Sequence, residues 1–192
     1  TWQSQMFAKL LAMNLKYRRP DLKILMGGPG MKNDLISNDT TYCEGLKNLG
    51  LIDHYITGDG EQALIEYLKG NLTYPGIDSN SWLELDDLDR WPWPDYSDYD
   101  FSAYEGYNGK VRMPISDSRG CVRTCEFCDI IEHWKKYRYR SAESLWKEML
   151  HQISQYGITH FAFNNSLTNG NMKIFNQLLD MMVEYNKFLP AT

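Results

Sequence analysis

Ser118-Arg-Gly-Cys-Val-Arg-Thr-Cys-Glu-Phe-Cys-Asp129 sets Cys121, Cys125 and Cys128 in a C-x3-C-x2-C run. A cubane [4Fe–4S] cluster normally takes four cysteine ligands, so three thiolates from one loop hold three irons and leave the fourth open to a small molecule. An open coordination position is what separates a reactive metal site from a structural one. The residues also leave a second reading open, in which His133 joins the three cysteines as a Cys3His zinc site of an interaction module. Zinc sites commonly show two separated ligand pairs, whereas these cysteines crowd one loop, so the cluster reading is preferred. Cys43, remote among Thr41-Tyr-Cys-Glu-Gly45, reads as a small buried apolar residue.

The flanking sequence places this loop on an α/β scaffold. Pro114–Ser118 is a short strand that runs straight into the cysteine run. Ser141 caps a helix that continues to about Tyr156 with Leu145, Trp146, Met149, Leu150 and Ile153 inward, and Gly157 stops it. Thr159–Phe163 is a second strand and Asn171–Lys187 a second helix. Two βα units in succession are the opening of a barrel, whose chemistry sits on the loops after the strands. Such a piece leaves an open sheet edge and an unfilled interior, so it is expected to be poorly stable and inactive in isolation. From Gly109 to Arg140 there are eight Lys and Arg against four Asp and Glu. Lys135 and Lys136 read as solvated surface. The alternation Tyr137-Arg-Tyr-Arg140 puts Arg138 and Arg140 on one face, as candidates to hold a carboxylate or phosphate.

Residues 1–75 read as part of an open α/β domain. Met6, Phe7, Leu10, Leu11, Met13 and Tyr17 form an apolar stripe on a first helix, with Trp2 as a hydrophobic staple before it. The strand Lys23–Met26 ends in Gly27-Gly28-Pro29-Gly30. The strand His54–Thr57 ends in Gly58-Asp59-Gly60-Glu61, from which a helix runs to Lys69 with Ala63, Leu64, Tyr67 and Leu68 inward. Glycines at the carboxyl ends of strands allow close approach to a ligand, or serve as tight turns in a flavodoxin-like sheet. Residues 76–112 form a connector: between Gly76 and Asn108 nine acidic residues and one basic residue interleave with Trp82, Trp91, Trp93, Tyr96, Tyr99, Phe101, Tyr104 and Tyr107. Trp91-Pro-Trp-Pro94 is stiff and extended, so the segment is expected to be an ordered aromatic strap.

The 192 residues, 43% hydrophobic, suffice for one large domain or two small ones. A net charge of −5 gives no nucleic-acid footprint, and no apolar run approaches membrane-spanning length. Free thiols and the lack of a signal peptide suggest a reducing, cytoplasmic setting. The chain opens at Thr1 and closes at Pro190-Ala-Thr192, each beside a helix, and so reads as an internal fragment of a longer protein.

Arg119-Gly120 before the cysteine run and the aromatic Phe127 before its last cysteine resemble the radical S-adenosylmethionine (SAM) enzymes. Taken with the upstream Gly-Gly-Pro and Gly-Asp-Gly-Glu-Gln-Ala-Leu segments, the order resembles their cobalamin-binding subgroup. The resemblance implies a flavodoxin-like cobalamin-binding portion over 1–75 and the first two βα units of a radical SAM barrel over 113–192. It implies that Cys121, Cys125 and Cys128 ligate a [4Fe–4S] cluster whose open iron binds SAM, which is cleaved reductively to a 5′-deoxyadenosyl radical. It further implies that Phe127 lies by the adenine and Asn165 by the methionine end. Gly27, Gly28, Gly58, Gly60 and Glu61 would line the pocket for the cobalamin nucleotide tail. Asn165 stands where similar proteins often carry an acid. None of His54, His133, His151 or His160 lies in the D-x-H-x-x-G loop that ligates cobalt in many relatives. A flavodoxin or ferredoxin is the implied reductant, and the reaction is methyl transfer or rearrangement on a substrate the sequence does not name. A radical SAM enzyme without functional cobalamin is the remaining alternative.

Overall fold

The computed structural model describes residues 4–32, 39–104, 106 and 110–186. They form two compact units that divide between Leu85 and Asp86. Trp2, the expected staple, lies outside the described residues, and Ser4, at the N-cap, makes no side-chain capping bond.

The first unit is built on β1 (Leu25–Gly27) and β2 (His54–Ile56), paired in parallel with Leu25 opposite His54 and Gly27 opposite Ile56. Three helices accompany them: α1 (Gln5–Arg18), α2 (Thr41–Asn48) and α3 (Gly60–Leu68). The core gathers Ala12, Met31, Cys43, Leu46, Ile52 and Tyr55, with Ile56, Ala63 and Ile77 as a second cluster. Cys43 is wholly buried and burial pushes its thiol up to about 12, as expected for a core residue. Helix α2 was not foreseen. Its signal is the spacing of Cys43 and Leu46 behind Asp39, whose carboxylate accepts the Thr41 amide at 2.8 Å.

The stripe on α1 is a correction to the pattern reading. Of its face only Ala12 is buried, while Phe7 and Tyr17 are 78% and 88% exposed. Leu64 and Leu68 on α3 also point out, because Ala63 and Tyr67 alone meet the β2 layer. Hydrophobic period marks a face that can be covered, and among the described residues of this unit no other element covers it.

In the second unit, β3 (Met113–Ile115) pairs in parallel with β6 (Phe161–Phe163), Ile115 opposite Phe163. Helices α5 (Ala142–Tyr156) and α6 (Met172–Asn186) pack over Ile115, Leu145, Met149 and Leu178. Helix α5 starts and stops as its sequence dictates: Ser141 Oγ accepts the Ser144 amide at 3.1 Å, and Gly157 ends it with φ +67°. The expected strand Pro114–Ser118 breaks after Ile115. Its last part becomes β4 (Ser118–Arg119), which pairs antiparallel with β5 (Arg138–Tyr139). The stretch predicted as a connector is shared between the units. Ile77 and Leu83 bridge to Ile56 and Gly58 in the first, while Trp93 packs on His151 and Tyr96 and Phe101 pack on Tyr156 in the second.

Candidate cluster and cofactor site

β4 and β5 close a loop that carries all three clustered cysteines and the single-turn helix α4 (Ile130–His133). The loop can leave and re-enter the ladder because Gly120 takes φ +85°. A Cβ there would stand 2.6 Å from the Lys136 carbonyl oxygen, so only glycine fits. Inside the loop the Arg123 amide donates to Cys121 Sγ at 3.4 Å, and the Cys128 amide closes a turn on the Cys125 carbonyl at 3.0 Å. All three thiols are free, Cys125 is exposed, and Phe127 beside Cys128 is 93% exposed.

Parallel pairing brings a second loop alongside. The Asn164 amide continues the ladder onto the Ile115 carbonyl at 3.1 Å, and Ser116 Oγ donates to Asn164 Oδ1 at 2.7 Å. The segment from Asn164 to Gly170 therefore leaves β6 at the same sheet end from which β3 leads to the cysteines. In it Asn165 is unusual: both polar atoms of its amide are buried, and neither has a hydrogen-bond partner among the described residues. A buried amide left unpaired is costly unless a ligand meets it.

The basic residues divide differently from expectation. Arg140 is consumed internally, since its guanidinium pairs with the buried Glu148 carboxylate and reaches Ser144 Oγ at 2.9 Å and the Ser116 carbonyl at 3.2 Å. Arg138 is buried and stacks 5.3 Å from the Trp134 ring centroid. Sequence pattern missed the polar side of α5, where Glu148 and Gln152 are both buried. The partner that explains Glu148 comes from eight residues upstream.

In the first unit the two glycine loops emerge from neighbouring parallel strands but are not alike. Gly28, at φ +95° and ψ 176°, has open space where a Cβ would project. Gly58, at φ +79°, is pressed by the chain itself, with the Leu83 carbonyl oxygen 2.2 Å from where a Cβ would lie. Asp59 is buried and accepts the Leu85 amide at 2.6 Å, while the Asp59 amide donates to the Leu83 carbonyl at 2.8 Å. Gly60 and Glu61 form the first turn of α3. Nearby, Lys32 is buried over the Trp82 ring at 4.0 Å.

The donor set suits a thiophilic metal centre: three free cysteines on one loop. Among the described residues no three His, Cys, Asp or Glu side chains yet converge closely enough to hold a metal ion, and His133 does not complete such a group. Elsewhere, a groove of about 1190 Å³ runs between Trp91–Ser97 and α5. Asp89 accepts the Ser141 amide there and Asp95 accepts from Tyr156, so the groove belongs to the packing of the strap.

No protein-family model matches the chain. Two relatives are both anaerobic magnesium-protoporphyrin IX monomethyl ester cyclases. That of Rubrivivax gelatinosus is 23% identical, aligned over 86% of this chain and 32% of its own length. That of Synechocystis sp. is 22% identical over 92% of this chain and 37% of its own. In fold, the chain matches the radical SAM methyltransferase TsrM from Kitasatospora setae with a TM-score of 0.62 and 17% identity, over 98% of this chain and 38% of TsrM. A second TsrM structure, with cobalamin and a [4Fe–4S] cluster bound, matches equally well. The chain is thus similar in sequence to these cyclases and in fold to a cobalamin-binding radical SAM protein. The chain spans about a third of the length of the relatives it matches. No helix among the described residues is long and apolar enough to cross a membrane.

Proposed function

We propose that this chain is part of an enzyme that uses a [4Fe–4S] cluster, SAM and cobalamin. Residues 1–75 would be the cobalamin-side portion, 76–112 the aromatic connector and 113–192 the start of the radical SAM core. The observation that carries the reading is the juxtaposition of the free-thiol loop after β3 with the unpaired Asn165 amide after its parallel neighbour β6. When bound, the cofactors supply a 5′-deoxyadenosyl radical from reductive cleavage of SAM and a carrier for one-carbon or rearrangement chemistry.

The residues have distinct tasks. Cys121, Cys125 and Cys128, as thiolates, would hold the cluster, and with three ligands from the loop rather than four the cluster would keep a position for SAM. Asn165 offers both an acceptor and a donor to the amino and carboxylate groups of SAM. Phe127 presents an exposed ring where an adenine can lie. Gly28, with Gly27 beside it, would leave room for backbone approach to the cobalamin nucleotide tail, and Gly60 and Glu61 would line it from the second loop, whose turn Gly58 shapes by accepting Leu83 against it. A one-electron donor of the flavodoxin or ferredoxin kind completes the system. The two relatives' name is that of a ring-closing enzyme and TsrM's that of a methyltransferase, so the substrate reaction is one of these two broad kinds.

Anaerobic iron–sulfide reconstitution tests the reading on the wild-type chain and on a triple Cys121/Cys125/Cys128→Ala variant. Metal analysis and electron paramagnetic resonance after reduction, with and without SAM, give the readout. About four irons per chain, lost in the triple variant, with a signal reshaped by SAM, is the expected result. Stoichiometric zinc without a cluster would replace the reading with the Cys3His module. A cluster that responds to SAM in a chain that does not bind hydroxocobalamin would remove cobalamin alone.

A further inference from the structure

The two cofactor-side loops of the second unit are joined by one side chain. Tyr137 lies immediately before β5, at the base of the cysteine loop. Its hydroxyl faces the Ser118 side chain, which opposes the rise that burial gives its pKa, and Ser118 in turn donates to the buried Asp117 carboxylate at 2.8 Å. Ser118 is the first residue of β4, three positions before Cys121. On its other side, Tyr137 occupies the space of a missing side chain: a Cβ on Gly170 would stand 2.5 Å from the Tyr137 oxygen and 2.7 Å from Cζ. Gly170 ends the loop that carries Asn165, and its amide closes a turn on the Leu167 carbonyl at 3.2 Å.

Gly170 is not forced to be glycine by its backbone, since its φ lies outside the left-handed region. The nearest objection to a side chain there is the Tyr137 ring. Burial raises the Tyr137 hydroxyl pKa, so it remains a neutral hydrogen-bond donor at physiological pH. Gly120 receives the Lys136 carbonyl, next door in sequence, in the same close manner. Residues 136 and 137 are therefore wedged against both loops.

We propose that Tyr137 is a positioning residue that locks the Asn164–Gly170 loop to the cysteine loop, its hydroxyl on Ser118 and its ring in the recess of Gly170, so that Asn165 is held in register with the site of SAM. The proposal rests on the radical SAM reading above, and one arm of its test does not depend on that reading.

That arm is hydrogen exchange on the full, cluster-free chain, comparing wild type, Tyr137→Ala, Gly170→Ala and the double variant. A methyl at 170 must displace the ring, so Gly170→Ala is expected to speed exchange of amides 118–123 roughly tenfold, although they lie about fifty residues away. In the Tyr137→Ala background the same methyl enters vacated space and should change nothing further. Additive effects, or an unchanged 118–123 segment in Gly170→Ala, would overturn the lock. The second arm uses Tyr137→Phe, which keeps the ring and removes only the hydroxyl. After reconstitution, iron content and the resonance signal without SAM should match wild type, while the SAM concentration that half-converts the signal should rise roughly fivefold. An unchanged midpoint would overturn the role in placing SAM. A wild-type chain that assembles no cluster would instead defeat the functional reading, with the exchange result still deciding the lock.

Discussion

Gly28 and Gly58 look interchangeable in the sequence, each following a parallel strand, but they should respond very differently to a methyl group. At Gly28 the backbone lies in a region that essentially only glycine occupies, with open space around it, so Gly28→Ala should cost about 1–3 kcal/mol of strain without a clash. At Gly58 the left-handed backbone strain is joined by a Cβ driven into the Leu83 backbone, and within the first unit the loop after β2 must part from residues 81–85 to accept it. Urea unfolding of the two variants should therefore show a modest loss for the first and, for the second, a collapse of the transition or insoluble protein. Glu148 gives a comparable test in the second unit. Removing its carboxylate by Glu148→Ala leaves the mostly buried Arg140 guanidinium with only the half-exposed Asp89 carboxylate, 3.9 Å from its Nε, at a cost of up to about 3–5 kcal/mol. A change within about 1 kcal/mol in the same measurement would mean that solvent reaches Arg140 readily. The cysteine loop was legible at this scale because three thiols at fixed spacing are rare. The Arg140–Glu148 pair was not, because a buried ion pair leaves no periodic trace in either segment.

Among the elements, boundaries set by chain-local chemistry are legible in the sequence and those set by long-range pairing are not. Helix α5 was bracketed by a serine cap and a left-handed glycine, both local devices. The strand from Pro114 to Ser118 was divided because Ser118 and Arg119 pair with Arg138 and Tyr139, a partnership invisible in the strand's own composition. The attachment of α1 to the first sheet depends in part on one such distant contact. Asp53, just before β2, accepts from Lys16 of α1 at 2.7 Å, from Lys23 at 3.0 Å and from the Ile24 amide at 2.8 Å. Burial alone would raise its carboxyl pKa, but these three donors outweigh burial and hold it well below the ordinary range. A depressed folded pKa contributes stability that is fully present above the unfolded value, about 3.9, and is lost as pH falls through the folded value. The wild-type first unit should thus lose stability progressively below about pH 4, and Asp53→Asn should lower it by about 1–3 kcal/mol at pH 7. The difference between the two proteins should shrink as acid removes the wild-type charge. A gap that stayed constant down to pH 2 would show that the carboxylate's charge contributes nothing.

For the chain as a whole, motif order carried the likeness to cobalamin-binding radical SAM proteins, while the extent of apolar covering was not legible. The same periodicity marks a helix face buried in a core and one left bare. Phe7, Leu10, Leu11 and Tyr17 on α1, Leu64 and Leu68 on α3, and Val183 on α6 are exposed. Among the described residues each of the three sheets has only two strands, and apart from the bridges of Ile77 and Leu83 along β2 their outer edges carry no further strand. Contiguous apolar surface and open edges are the two features soluble chains ordinarily suppress, and either one drives association. The isolated chain should therefore self-associate in a concentration-dependent way that strengthens with salt, since screening weakens the repulsion between copies carrying a net charge of −5. Sedimentation velocity across a dilution series measures this directly. Phe7→Ser with Leu11→Lys replaces two exposed apolar groups on α1, at 78% and 61% exposure, without touching buried Ala12. It should shift the distribution toward monomer while leaving the unfolding midpoint nearly unchanged. If the oligomers persist in that variant but dissolve when the edge strand β6 is charged by Ala162→Lys, association runs through the sheet edges and the α1 face is a bystander. If neither substitution acts, the apolar face of α6 becomes the surface to charge next.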